Sequence, residues 1–445
     1  MSPPDVGARG PARKLLVITY CFGSNGPIGG LRWAGITKYL ARSDWEVRVL
    51  TAPLPDAPDA AIGVRADQCP RFPTLGDGYR SLRRLVQGPA YRGVRAATPP
   101  APPGRLRWLE REVAALLAFP DEGRGWVLRA AWNARRIIRR FQPEVVVSSG
   151  PPHSAHLVAA LSTIGSGVRW WIDLRDPWAG PLPGIWRSHF RVGTRTFRAL
   201  SPRLERLTFR LAHGVIANTD GLTAALAEKY PGLRVVRVPN GVDPECLPVP
   251  APHRYPGLGI VYAGTLYTGR DLGPVVRALG MFLERHREAV QAGSQIRVAG
   301  EAEPGHARAF YDAVAAAAVG PYVEVLGPLP RDQALGVVSR SRLAVVLAQE
   351  QEHQIPAKLY ESVGMGVPTL VIAPEDSAAA VEGRRVGALV RDGADVEGIA
   401  CVLERLWRNG SSERPTCSVP ITYDAIAPLV DRLLRDTVPP DARPS

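Results

Sequence analysis

The stretch KLLVITYCFGSNGPIGGLRWAGITKYLARSDWEVRVLTA (Lys14–Ala52) decides the fold class. It opens on KLLVITY, a short apolar run of β-formers. A glycine-rich loop, GSNGPIGGLR (residues 23–32), leads into WAGITKYLARSD, whose apolar positions predict an amphipathic helix. WEVRVLTA then reads as a second strand. Strand, helix and strand in this order form a βαβ unit, whose two strands lie parallel in one sheet.

Working outward, residues 53–105 are rich in Pro, Gly and Arg with weak periodicity, which predicts an irregular insertion with short helices. The alternation then resumes. PEVVVSSG, RWWIDLRD, GVIANT and LRVVRVPNGVD read as strands, and WVLRAAWNARRIIRRF, SAHLVAALSTIG, SPRLERLTFRLAH and DGLTAALAEKYP as helices. It stalls in PECLPVPAPHRYPG (residues 244–257), a proline-rich stretch of the kind that joins domains. A second βα series starts at LGIVYAGTLYTGR and runs through QIRVAGE, VEVLGPL, LAVVLAQ and PTLVIA. The expected architecture is α/β, with two Rossmann-like doubly wound domains facing across a cleft. Residues 1–243 form the first, 244–257 the linker and 258–420 the second, and residues 421–445 supply a helix and tail that cross back to the first. Open sheets of this kind bind ligands at the carboxyl ends of their strands.

The chain has 445 residues, 45% of them apolar, enough for two cores. Its net charge of +13 is nearly all arginine, since only Lys14, Lys38, Lys229 and Lys358 are lysines. With the high Ala, Gly and Pro content this points to a coding bias rather than to a polyanionic partner. Nothing has the spacing of a nucleic-acid module, so no nucleic-acid partner is expected. Cys21, Cys69, Cys246, Cys401 and Cys417 are scattered and form no C-x-x-C, which disfavours a disulfide scaffold or structural zinc and fits a reducing cytosol. No run reaches the ~18 apolar residues of a spanning helix. The N-terminal residues lack the apolar centre of a signal peptide. A cytoplasmic protein is expected, peripheral attachment to the inner face of the plasma membrane remaining open. YRSLRRLVQGPAYRGVR (79–95) and RLRWLEREVAALL (105–117) mix arginine with apolar residues as segments lying on an anionic bilayer do, and as ordinary arginine-rich surfaces also do.

HQIPAKLYESVGMGVPTL (His353–Leu370) carries the strongest chemical signal. Pro356 suits a first helical turn, whose free N–H groups favour an anion. Lys358 adds a full charge there, and Glu361, one turn on, is placed to accept hydrogen bonds from ribose hydroxyls. The competing reading is an exposed i,i+3 ion pair between them. In YAGTLYTGRD (262–271) a strand ends at Gly264, followed by Thr265 and by Arg270, a residue type that grips phosphate bidentately. In RVAGEAEP (297–304) a strand ends at Gly300 and is followed by Glu301. Gly29 and Gly30 fall between the first strand and first helix, where backbone N–H groups can cradle an anion, although the loop is neither G-x-G-x-x-G nor a Walker A motif. SSGPPHSAH and WWIDLRDPW place His153, His156, Asp173, Arg175 and Asp176 at carboxyl ends of successive strands. Asp176 is the candidate to accept a proton from a substrate hydroxyl or to orient it.

Taken together, IPAKLYESVGMGVPTL, VVVSSGPPHSAHLVAAL, WWIDLRDPW, VPNGVD, IVYAGTLYTGRDL and FPDEGRGWV resemble the GT-B glycosyltransferases, specifically the retaining group called family four. The likeness runs from about Lys14 to Asp436. It implies a nucleotide-diphosphate sugar held mainly by the second domain, and transfer to a hydroxyl acceptor, lipid-linked acceptors included, with retention. Arg270 and Lys358 would neutralise the diphosphate and Glu361 would hold the ribose. Gly264, Thr265, Gly300 and Glu301 would line the donor site, Gly29 and Gly30 would approach the phosphates, and Asp176 would face the acceptor. No metal or other cofactor is implied. Many members carry E-x7-E; here His353 stands at the first position, with Glu352 one residue away. A sugar-nucleotide epimerase, a glycan phosphorylase or a non-catalytic nucleotide-sugar-binding module would share the fold.

Overall fold

A computed structural model describes residues 12–23, 28–54, 63–74, 77–78, 105–179, 194–248, 254–350, 354–409, 417 and 419–436. Two wholly parallel sheets organise them. The first holds β1 (Arg13–Thr19), β2 (Trp45–Thr51), β3 (Arg65–Gln68), β4 (Val145–Gly150), β5 (Arg169–Leu174), β6 (Gly214–Ala217) and β7 (Val235–Arg237), in the order 3-2-1-4-5-6-7. The second holds β8 (Gly259–Ala263), β9 (Gln295–Ala299), β10 (Val323–Gly327), β11 (Leu343–Leu347), β12 (Thr369–Ile372) and β13 (Leu389–Arg391), in the order 10-9-8-11-12-13. Strand order reverses between β1 and β4 and again between β8 and β11. Such switch points open a crevice beyond the strand ends.

The unbroken apolar run of β1 follows from burial on both faces. Leu16 and Ile18 face a layer made of helices Val127–Phe141, Ser154–Thr163 and Arg195–Leu211. Leu15 and Val17 face the helices Ile28–Arg42 and Tyr423–Arg435. The last helix therefore packs on the first lobe although it follows the second in sequence. Gly35 makes this approach possible, because a Cβ there would lie 2.0 Å from the Tyr423 ring. The indole of Trp45 donates to Asp431 at 2.6 Å, and Val242 bridges Thr422 at the entry to the helix.

Two sequence expectations are corrected. Residues 65–68 form an edge strand paired with β2 inside the stretch read as irregular. RADQ is short, polar and partly exposed, so it carries no alternation to detect. Most of the remainder of 53–105, including the arginine-rich run 79–95, lies outside the described residues. Gly29 and Gly30 lie inside the first turn of Ile28–Arg42, not in a loop before it.

The lobes also touch through an ionic ring. Arg237 of β7 meets Asp220 at 3.1 Å and Glu382 of the second lobe at 3.0 Å, while Arg385 returns to Asp220 at 2.6 Å. Tyr360 donates to the same buried Glu382 at 2.9 Å.

Candidate functional site

A cavity of about 230 Å³ opens between the facing carboxyl edges of the two sheets. The second lobe brings Arg270, Arg331, Ile355, Pro356, Lys358 and Glu361 to it, and the first brings Arg32, Arg175, Asp176 and Asn240.

Three elements converge on the second-lobe side. The helix Ala357–Gly364 points its first turn at the cavity, and no side chain caps it. Pro356 is the residue just before that turn rather than its first member. Lys358 is half-buried and runs beside Gly264, where a Cβ would lie 3.5 Å from Lys358 Cε. Burial pulls the Lys358 ammonium below its ordinary value, Arg270 and Arg331 push it the same way, and Glu361 opposes them.

Arg270 leaves β8 on a stapled loop. Gln349 accepts from the Asp271 N–H at 2.8 Å and donates to its carbonyl at 2.7 Å. The Arg270 guanidinium lies over the Tyr267 ring at 4.6 Å, and its Nε is buried without a hydrogen-bond partner. Tyr262 donates to the Thr265 carbonyl at 3.0 Å, and burial pushes this phenol up to about 12.

Glu361 is held by Arg331, whose Nη2 and Nε donate to Oε1 at 2.8 and 3.2 Å. Among the described residues no ion pair links Glu361 to Lys358, so the i,i+3 pairing allowed by the sequence gives way to this longer-range one. Arg331, at the start of helix Arg331–Ser339, was missed in the sequence. Its signal is the strand-end glycine Gly327 followed by PLPR, the same strand–loop–cation pattern as in YAGTLYTGR.

The remaining predicted residues divide. Gly300 has φ +153°, and a Cβ there would sit 1.9 Å from the Gly264 carbonyl oxygen. These two glycines let neighbouring strand ends pack back to back. None of Gly264, Thr265, Gly300 and Glu301 is on the cavity wall; Glu301 is exposed and its carbonyl accepts from Leu266 N–H at 2.8 Å. Gly29 and Gly30 stand behind the wall. The Gly29 carbonyl accepts from Arg175 at 2.8 Å, and a Cβ on Gly30 would lie 3.0 Å from the Phe22 nitrogen. His353 lies outside the described residues.

On the first-lobe side, Asp176 accepts from Gln354 of the second lobe at 2.9 Å, a contact across the cleft. Asp173 is fully buried and takes donors from Arg32 (3.1 Å), Trp33 (2.8 Å) and Ser149 (2.7 Å). Arg32 also donates to the Val238 and Pro239 carbonyls and to Asn240, which anchors VPNGVD. Arg175 donates to the carbonyls of Gly29, Gly150 and Pro151. His153 and His156 do not reach the cavity. His153 stacks on Trp178 at 5.1 Å, burial keeps it well below its usual value, and burial lowers His156 to about 3.

Residues 90–246 match the model of Glycosyltransferase Family 4. Among curated proteins, none matches the sequence. Similar solved structures include sucrose-phosphate synthase from Thermosynechococcus elongatus, at 13% identity and TM-score 0.58, over 95% of this chain and 98% of the other. Anabaena HepE in complex with UDP-glucose aligns at 13% identity and TM-score 0.53, over 95% and 99%. A putative UDP-N-acetylglucosamine 2-epimerase from Listeria monocytogenes aligns at 14% and 0.54, over 95% and 96%. This is the GT-B fold of glycosyltransferases. In this GT-B chain the interlobe cavity lies at both switch points. What it concentrates is positive charge, on Arg270, Arg331 and Lys358, beside a helix end without a side-chain cap.

Proposed function

We propose that the chain is a glycosyltransferase that moves a sugar from a nucleotide-diphosphate donor to a hydroxyl acceptor with retention. The observation that carries this reading is the convergence of Arg270, Arg331 and Lys358 on one cavity, where burial first and then the two arginines depress Lys358. A site that destabilises its own ammonium gains most when a dianionic group enters it. In glycosyl transfer the departing diphosphate develops negative charge as the anomeric centre becomes positive. Preorganised cations and helix N–H groups stabilise that separation more than they stabilise the ground state.

Lys358 and Arg270 are assigned to the diphosphate, and Glu361, oriented by Arg331, to the ribose. Asp176, held toward the second lobe by Gln354, is assigned to the acceptor hydroxyl. Gly264, packed against Gly300 behind the cavity wall, leaves room for the Lys358 side chain. HepE, in complex with UDP-glucose, supplies a fold precedent for such a donor. Charge neutralisation rests on side chains, so turnover is expected to persist in EDTA; abolition by chelation and rescue by a divalent ion would refute that assignment.

Thermal-shift measurements against uridine, guanosine, adenosine and thymidine diphosphates and their sugars test the reading. Midpoints should rise for one nucleotide class by mass action and stay put for Lys358→Ala. No shift with any diphosphate overturns it. Turnover of the bound donor without acceptor, giving an isomerised nucleotide sugar, would instead assign an epimerase.

A further inference from the structure

The helix layer on one face of the first sheet has an outer surface that no part of the described chain covers. Helix Val127–Phe141 buries Ala130, Ala134, Ile137, Ile138 and Phe141 against that sheet. Its outer stripe carries Leu128, 73% exposed, then Trp132, 60% exposed, then Arg136, each four residues on. Arg139 and Arg140 extend it. Arg136 lies over the Trp132 ring at 4.5 Å, and Arg135 donates to the Ile164 carbonyl at 3.1 Å. That second contact joins the stripe to exposed Leu161 and Ile164 at the end of Ser154–Thr163. Helix Arg195–Leu211, in the same layer, exposes Leu200, Leu207 and Leu211 with Arg203 and Arg210 between them. Arg195 lies over exposed Trp108 at 5.5 Å.

The charge of this layer has one sign. The three helices Val127–Phe141, Ser154–Thr163 and Arg195–Leu211 hold ten arginines and a single carboxylate, Glu205. Glu205 is buried and occupied by Lys229 at 2.6 Å and by the Ala179 N–H at 2.7 Å. Outward, then, these three helices present arginine interleaved with leucine, isoleucine and tryptophan; the acid beside them among the described residues is Glu112 of the adjoining helix Arg105–Ala118, which accepts from the Arg195 and Thr196 N–H groups at 2.7 and 2.9 Å.

We propose that this face docks on an anionic lipid bilayer. Aliphatic side chains that stand out between arginines favour a bilayer over other polyanions. Leu128, Leu207 and Ile164 have no stacking surface to offer a nucleotide base, whereas they can enter the acyl boundary. Trp132 and Trp108 suit the headgroup level, and arginine stems reach phosphates while their apolar parts stay in contact with the protein. Attraction to an anionic leaflet adds to burial of the apolar side chains, so binding should need negative lipid and weaken with salt. The face belongs to the backs of the helices, away from the interlobe cavity, so docking leaves the cleft open. The inference does not rest on the donor reading.

Flotation of the full chain with vesicles of equal phosphatidylcholine and phosphatidylglycerol tests it. The protein should float with these vesicles at low salt, stay behind with phosphatidylcholine alone, and be released at high salt. Leu128→Ser with Trp132→Ser should lower the bound fraction about tenfold at low salt. Arg136→Gln with Arg139→Gln and Arg140→Gln should shift release to lower salt. Unchanged unfolding midpoints in both variants show that the fold is intact. Failure of the wild-type chain to float, or flotation of both variants like wild type, overturns the proposal. So does a stable dimer by light scattering that Trp132→Ser dissociates, or binding of single-stranded RNA at physiological salt without flotation. The donor thermal shift should be the same in wild type and variants, which separates this outcome from any failure of the cleft assignment.

Discussion

The two sides of the interlobe cavity are built from similar residues and differ in what those residues are bonded to. On the first-lobe side, Arg32, Arg175 and Asp173 are enclosed in a closed set of hydrogen bonds: Asp173 has three donors, Arg32 donates to the carboxylate and to the VPNGVD segment, and Arg175 holds three carbonyls. On the second-lobe side the cations outnumber their partners. Arg270 has a buried Nε without an acceptor, Lys358 is depressed by burial and then by the two arginines, and among the described residues Glu361 pairs with Arg331. A satisfied polar network rigidifies; an under-neutralised one is ready for an anion. The first edge is read as a frame and the second as the seat of the ligand.

The largest way to break the contrast is through the frame. Asp173→Ala leaves Arg32 buried without its carboxylate, and removing one partner of a buried pair costs about 3–5 kcal/mol. Urea unfolding should show that loss, and an unchanged midpoint would mean that the frame is not holding the lobe.

Next comes the seat. Lys358→Ala and Arg270→Ala should each lower kcat roughly 10²–10³-fold, the scale of one lost transition-state donor. Their unfolding midpoints should stay near wild type, and Lys358→Met should raise the midpoint of the ligand-free protein by removing a strained cation. Activity near wild type in both alanine variants would dissolve the distinction between the two edges.

A smaller effect isolates Arg331. Arg331→Ala should raise the donor KM about tenfold, roughly the loss of one charge-assisted hydrogen bond, with less change in kcat. Arg331→Lys should recover part of it, and Glu361→Ala should reproduce the KM change. A fall in kcat alone would place Arg331 with the reacting group instead.

The smallest effect is on pH. Lys358 has a folded value below its ordinary one, and an anionic ligand raises it again. The ligand therefore favours the protonated form, and nucleotide-diphosphate affinity should fall as pH rises from the depressed value toward that of the complex. Binding should take up a fraction of a proton in that window, measurable by calorimetry in buffers of different ionisation enthalpy. In the ligand-free protein the same depression makes stability rise with pH from the folded value up to the unfolded one. Both slopes should vanish in Lys358→Met.

Much of the architecture was legible because burial writes itself into pattern. The runs LLVI (15–18) and VVV (145–147) are unbroken because both faces of β1 and β4 are covered, and that leaves few alternatives to a parallel sheet. RADQ, at the sheet edge, carries no such constraint and was not seen. At the site, strand-end loops and a helix start brought Arg270, Lys358 and Glu361 into view. Arg331 stayed hidden because its partner lies on another helix, 30 residues away. The Asp176–Gln354 contact spans 178 residues and both lobes.

By itself, then, the order of residues determined most of the strands and helices, that the strands run parallel, and where the buried strands give way to turns. Those properties follow from local periodicity and from glycine and proline, which act over a few residues. Tertiary structure decided which charges meet, which stay under-neutralised, and which leucines and tryptophans face outward. Pairing and exposure depend on distances between elements far apart in the chain, and a periodic pattern does not encode them.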